Sequence, residues 1–187
     1  MKIGYCLCGS FCTVARSIET LRSLAEKHDV YPIISEAVKT TDTRFGRAED
    51  TCRCLTEICG REPICTIVDA EPLGPKNPLD AMIVCPCTGN TLAKISLGIT
   101  DGAVTMAVKA HLRCDRPLVI AISTNDALSQ NLKNIGTVLT RKSVYFVPFG
   151  QDAPNGKPYS LISDFSLVEK TLSSALQGKQ LQPLLLK

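Results

Sequence analysis

CPCTGNTLAKISLGITDGAVTMAVKAH, residues Cys85–His111, follows directly on the apolar run Ala81-Met-Ile-Val84. The apolar run predicts a buried strand, Cys87-Thr-Gly-Asn-Thr91 a polar turn, and the remainder two helical segments separated by Gly98–Gly102. A buried strand that hands a polar turn to a helix N-terminus is how open α/β sheets build ligand sites. Thr88, Asn90 and Thr91 put hydroxyl and amide groups where the first N–H groups of the helix also lack partners. Taken alone, such a stretch also reads as an ordinary capped strand-to-helix turn.

The N-terminal segment repeats the pattern. Lys2–Leu7 reads as a first buried strand, Cys8-Gly9-Ser10-Phe11-Cys12-Thr13 as a tight turn, and Val14, Ile18, Leu21 and Ala25 recur at helical spacing through Lys27. Strand, Gly-Ser turn and helix together direct backbone N–H groups and a positive dipole end at an anion. The turn lacks both G-x-G-x-x-G and G-K-[ST], so it fits neither a dinucleotide nor a nucleoside triphosphate, and suits a single phosphate at Gly9 and Ser10. Asp29–Ile34 is a second strand, ending in Ser35, which also reads as the N-cap of Glu36–Lys39. Ala48–Cys59 is helical, ended by Gly60, and Pro63–Val68 is expected as a third strand. Three prolines and a glycine in Asp69–Pro78 argue for a long loop without helix. Arg116–Ile122 and Ser143–Val147 are expected as the fifth and sixth strands, with Ala127–Thr140 helical between them. Gln151–Ser160 reads as a loop and Ser166–Leu176 as a last helix, ended by Gly178. The expected fold is α/β: a doubly wound, Rossmann-like or flavodoxin-like parallel sheet of six strands, with helices on both faces.

The 187 residues fit a single domain, 1–187, with a core of about residues 1–150 and a C-terminal loop, helix and tail over 151–187. With 44% hydrophobic and 21% charged residues, the chain can bury a core, and no apolar run reaches membrane-spanning length. A net charge of +3 without basic clusters interleaved with aromatics gives no support to nucleic-acid binding. No signal-peptide core is evident, so a cytoplasmic protein is expected. The ten cysteines contain no C-x-x-C pair and no histidine placed to complete a zinc set, so no metal site is expected. Cys6, Cys65 and Cys85 stand in strand-like runs as small hydrophobes, whereas Cys8, Cys12 and Cys87 flank the two candidate turns and could be reactive. His28 and His111 read as structural.

Pro86, Thr88, Asn90, Thr91, Lys94, Gly98 and Asp101 fall in one register on the segment P-x-[ST]-x-N-T-x-x-K-x-x-x-G-x-x-D. In this the chain resembles the flavoprotein family that includes cysteine decarboxylases and flavin prenyltransferases. The resemblance implies FMN as cofactor. Gly9, Ser10 and Ser35 would contact its phosphate, and Pro86, Thr88, Asn90, Thr91 and Asn125 would line the rest of the site. The chain lacks that family's decarboxylase histidine near the third strand and its late flap cysteine. Of the P-x-M-N-x-x-M-W segment only Asn125 keeps the pattern. Thr40–Gly46, Thr66–Lys76, Ala121–Leu128, Tyr145–Asp152 and Gly178–Pro183 resemble instead one subgroup, the B subunits of dipicolinate synthase from spore-forming bacteria.

That subgroup implies oxidation of a dihydrodipicolinate-type precursor to dipicolinate in the mother-cell cytoplasm during sporulation. Its partner would be the dipicolinate synthase A subunit, which would hold NADP or NAD. Removing two hydrogens from a cyclic dianion needs an electron acceptor that no side chain supplies. The two carboxylates of a small dicarboxylate substrate call for cations, for which Arg44 and Lys76 are the candidates, and Asp126 or Asp42 could take the departing proton. The family also implies a homo-oligomer, a trimer or a multiple of trimers, with the apolar stripe Val104–Ala110 suited to packing on a neighbouring protomer. An FMN-dependent decarboxylase or prenyltransferase, and a non-catalytic flavin-binding or structural role, are the alternatives.

Overall fold

The strand Ala81–Cys87 is the centre of the molecule, because all seven of its residues are buried. A computed structural model describes residues 1–186. In chain order the elements are β1 Lys2–Leu7, α1 Phe11–Ala25, β2 Asp29–Ile34, α2 Glu36–Thr40, α3 Ala48–Cys59 and α4 Ile67–Ala70. They continue with β3 Ala81–Cys87, α5 Gly89–Leu97, α6 Ala103–Leu112, β4 Leu118–Thr124, α7 Leu132–Leu139, β5 Val144–Phe146, β6 Phe149–Gln151, β7 Leu161–Ser163 and α8 Val168–Ala175. The sheet runs β2-β1-β3-β4, all parallel, and β4 then takes two further neighbours. Its first half pairs with β5 in parallel, and Ser123 and Thr124 pair with β7 in antiparallel.

Strand residues alternate between two cores, as a sheet covered on both faces requires. Cys6, Met82, Val84, Leu118, Ile120 and Ile122 face α5, α6 and α7. Ile3, Tyr5, Leu7, Ile83, Cys85, Val119 and Ala121 face α1, α3 and α8. Burying each aliphatic side chain contributes about 1.5–3 kcal/mol, so the two layers supply most of the driving force. Pro86 has no N–H to give the ladder, and the β3–β4 register shifts between Val84 and Cys87. The Cys85 carbonyl accepts a 2.6 Å hydrogen bond from Ser17 Oγ, and the buried Tyr5 hydroxyl donates to the Ser17 carbonyl at 2.8 Å.

The fold class is the expected one, but the sheet is mixed and has seven strands. The segment Pro63–Val68 is not a strand. Only Ile64 pairs, with Ile33, before Thr66 Oγ1 accepts the Asp69 N–H at 3.1 Å and starts α4. That Thr-x-x-Asp cap redirects the chain, and helical structure extends through a 3-10 turn at Glu71–Leu73 into the stretch expected to be loop. At the other end, the expected loop after Gly150 connects the hairpin strands β6 and β7, whose register is Phe149↔Ser163 and Gln151↔Leu161. The helix expected from Ala127 begins only at Leu132, because residues 127–131 are folded as a turn around Asp126. Val104, Ala107, Val108 and Ala110 are all buried within this one chain, so the α6 stripe faces its own sheet rather than a neighbour. Among the described residues, no helix is long and apolar enough to cross a membrane.

Candidate functional site

The carboxyl ends of β1 to β4 open onto a groove of two adjoining compartments that share Gly9 and Thr88 as a common wall. One, of about 390 Å³, is lined by Ser35, Asn90, Thr91, Lys94 and Asp101, with Glu36 beside them. The other, of about 470 Å³, is lined by Ser10, Arg44, Ser123, Asn125, Asp152 and Lys157. The sheet places the groove there, since parallel strands end together and each hands the chain to a turn.

Ser10 is the N-cap of α1, yet its side chain caps nothing. Its hydroxyl lies 2.8 Å from Ser123 Oγ at the end of β4, and Thr13 Oγ1 stands 3.3 Å from the same oxygen. The N–H groups of Phe11 and Cys12, in the first turn of a 15-residue helix, have no i−4 carbonyl within that helix. At Gly9 a Cβ would come within 3.2 Å of Ala37 Cβ, so the absent side chain keeps the β1–α1 turn close to α2. Ser35 caps α2 by position only, and its hydroxyl is buried without a hydrogen-bond partner. A buried orphan hydroxyl beside a glycine and a helix start is the donor set that a phosphate monoester completes.

On the second turn, Thr88 Oγ1 accepts the Thr91 N–H at 3.2 Å and donates to Thr91 Oγ1 at 3.1 Å. Asn90 is exposed with its amide directed to no protein partner among the described residues. Gly89 packs against the end of β4, where a Cβ would meet Asn131 Nδ2 at 2.5 Å, Asp126 Oδ1 at 2.6 Å and Thr124 Oγ1 at 2.7 Å. Lys94 donates to Asp101 at 2.8 Å, and this hydrogen bond holds the Asp101 carboxyl below its ordinary value. Below the turns, burial pushes the Cys8 thiol up to about 11 and that of Cys87 well above the ordinary value. Neither sulfur is a ready nucleophile, whereas Cys12 is exposed and lines the groove.

A model of the family described as Flavoprotein matches residues 1–166. The chain belongs to the flavoprotein family. Within it, the chain is 42% identical to the dipicolinate synthase B subunit of Bacillus subtilis (strain 168) over 187 residues, which is 100% of this chain and 94% of that one. A crystal structure of the dipicolinate synthase B subunit from Bacillus halodurans C superposes with a TM-score of 0.91 at 40% identity, covering 100% of this chain and 96% of that one. A dodecameric FMN-dependent UbiX-like decarboxylase from Escherichia coli O157:H7 has a TM-score of 0.65 at 27% identity, over 79% and 80% of the two chains.

In this flavoprotein the groove collects Gly9, Ser10, Ser35, Thr88, Asn90, Thr91, Asn125 and Arg44. Pro86 is buried in β3, two residues before Thr88 in sequence. Arg44 reaches the groove from the turn at Thr43–Gly46, with its guanidinium 4.9 Å from the centre of the Phe45 ring. Lys76 stands apart, in the loop that enters the amino end of β3, at the opposite end of the parallel strands from the groove. Asp126 has both carboxylate oxygens engaged, by Thr124 Oγ1 at 2.5 Å and Asn131 Nδ2 at 2.7 Å. Asp42 likewise accepts the Ala48 N–H at 2.9 Å. Sequence reasoning missed Ser123, Asp152 and Lys157. The last two lie in a stretch whose Pro, Gly and Asn content signals loop, and nothing in that composition says where the loop folds.

Proposed function

We propose that this chain is the FMN-binding B subunit of a dipicolinate synthase and works with the A subunit to oxidise a dihydrodipicolinate-type dicarboxylate to dipicolinate. The single observation that carries the reading is the buried, partnerless Ser35 hydroxyl beside Gly9, a built donor set for a phosphate in a chain with 42% identity to a dipicolinate synthase B subunit. FMN, when bound, supplies the two-electron acceptor that dehydrogenation needs and no side chain provides.

In this proposal Gly9, Ser10 and Ser35, with the N–H groups of Phe11 and Cys12, hold the phosphate through neutral donors and the α1 dipole. Thr88, Asn90, Thr91 and Asn125 line the remainder, with Pro86 in the strand beneath. Arg44 binds a substrate carboxylate. Asp126, with both oxygens occupied, is a positioning residue that ties the end of β4 to the turn before α7, the surface on which Gly89 packs. Lys76 takes no part in this protomer's groove. NADP or NAD belongs to the A subunit, since no turn here has the G-x-G-x-x-G form. The protein works as a homo-oligomer, a trimer or a multiple of trimers, in the mother-cell cytoplasm, and the dodecameric assembly of a 27% identical relative supports the oligomer.

The test is reconstitution. Purified chain is expected to carry flavin absorbance near about 450 nm and to support turnover by the mixed subunits only when flavin is present. Full activity with the flavin stripped from this chain would leave it a structural role only. A monomeric mass by light scattering at micromolar concentration would refute the assembly.

A further inference from the structure

The two compartments of the groove differ in charge. The Ser35 compartment is lined by one cation, Lys94, already paired with Asp101, and by a second carboxylate, Glu36. The compartment next to it has two cations from separate loops, Arg44 and Lys157, against one carboxylate, Asp152. Lys157 donates to Asp152 Oδ2 at 2.9 Å, and this bond raises the lysine above its ordinary value and so keeps it charged. The pair is half exposed and contributes little stability. Its effect is positional, since Asp152 restrains a flexible ammonium at the groove wall. Arg44 is restrained in turn by its aromatic neighbour, with the guanidinium over the Phe45 ring.

We infer that Arg44 and Lys157 form a two-point clamp for a planar dicarboxylate, one cation per carboxylate, in the compartment that lies across Gly9 and Thr88 from Ser35. The inference rests on the proposed dehydrogenation and names the residues that would select its substrate. Two cations on separate loops of one compartment reward a ligand with two anionic ends and give little to a ligand with one. The Ser35 compartment, with one cation against the two carboxylates Glu36 and Asp101 in its lining, offers such a dianion no comparable site.

The probes are pyridine-2,6-dicarboxylate and pyridine-2-carboxylate, titrated calorimetrically into the purified full chain. Wild type is expected to prefer the dicarboxylate. Lys157→Ala should weaken dicarboxylate binding about tenfold or more while barely changing the monocarboxylate, as loss of one charge-assisted contact predicts. Arg44→Ala should do the same, and Lys157→Arg should restore most of the preference. Both residues are exposed, so flavin content and melting temperature should stay at wild-type values. Wild-type dicarboxylate affinity in Lys157→Ala, or equal loss for both probes, overturns the clamp. A wild-type chain that holds FMN but binds no dicarboxylate also overturns it and leaves the flavin assignment standing. Dicarboxylate binding through Lys157 in a chain that takes up no FMN overturns the flavin assignment alone.

Discussion

Ser10 Oγ and Ser123 Oγ lie 2.8 Å apart, joining the turn after β1 to the end of β4 across the intervening β3. The bond fixes the start of α1 over the middle of the sheet and uses one hydrogen-bonding position of the Ser10 hydroxyl. It therefore separates the two serines of the phosphate cradle by role. Ser10 reaches the phosphate with a hydroxyl it shares with Ser123, while the Ser35 hydroxyl is wholly uncommitted.

Ser35→Ala tests that division. With no partner to lose in the free protein, the variant should melt at or slightly above the wild-type temperature, since a buried unsatisfied hydroxyl is a cost. FMN affinity should fall about tenfold, the size of a lost hydrogen bond to a charged oxygen. Parallel thermal melts and flavin titrations separate the two effects. A lower melting temperature with unchanged FMN affinity would remove Ser35 from the cradle.

Gly89 is predicted to be intolerant of any side chain. The Cβ of Gly89→Ala would meet three polar atoms between 2.5 and 2.7 Å away, on Asn131, Asp126 and Thr124. These belong to a hydrogen-bonded cluster that cannot give without breaking. Overpacking of this kind costs about 1–3 kcal/mol, and it should loosen the Thr88–Thr91 turn and lower flavin affinity at the same time. Chemical denaturation of the variant at the wild-type midpoint would count against the cluster as the anchor of α5.

How much of this was legible in the sequence follows from how local each determinant is. The two strand-to-helix turns were readable because strand period, turn residues and helix period are contiguous, and Gly60 and Gly98 mark helix ends by adopting left-handed φ of 66° and 73°. The α4 turn was misread because Val68 and its neighbours are apolar enough for a strand, while the Thr66 cap that decides otherwise is a single hydrogen bond. Ser123 was invisible as a partner of Ser10 because 113 residues separate them. Lys157 depended on a hairpin whose strands are three residues each, too short for a period-two pattern to register. Arg44 and Lys76 looked equivalent as loop cations, and only the strand direction puts one at the groove and the other at the amino end of the strands, away from it.

Cysteine reactivity should follow burial rather than proximity to the groove. Cys8 and Cys87 are buried and their thiols are pushed up, so almost no thiolate exists near neutral pH. Cys12 is exposed in the first turn of α1 and lines the groove. Brief treatment of the native protein with iodoacetamide should label Cys12 before either of the other two, and added FMN should slow that labelling. Peptide mass spectrometry reads both outcomes. Labelling of Cys8 or Cys87 first would mean that the ends of β1 and β3 open far more readily than their packing indicates.

His111 supplies the pH dependence. Its Nε2 lies 3.0 Å from the Pro117 carbonyl, which can only accept, so Nε2 carries the proton and Nδ1 is left buried without a partner. Burial, followed by the nearby Arg116 charge and against the Pro117 hydrogen bond, lowers the affinity of the ring for a second proton. The unfolded chain therefore binds more protons than the folded one once the pH drops below the ordinary imidazole value of about 6.5. Stability is full above that value, falls as the pH decreases through it, and levels only when the folded ring itself is protonated. His111→Gln keeps an N–H donor for Pro117 and removes the titration. Melting temperatures measured between about pH 7.5 and pH 5 should fall less steeply for the variant than for wild type, the common carboxylate contribution cancelling in the comparison. Identical slopes would mean that His111 is protonated in the folded state, and that its Nδ1 finds a partner inside α6 or the sheet beneath it.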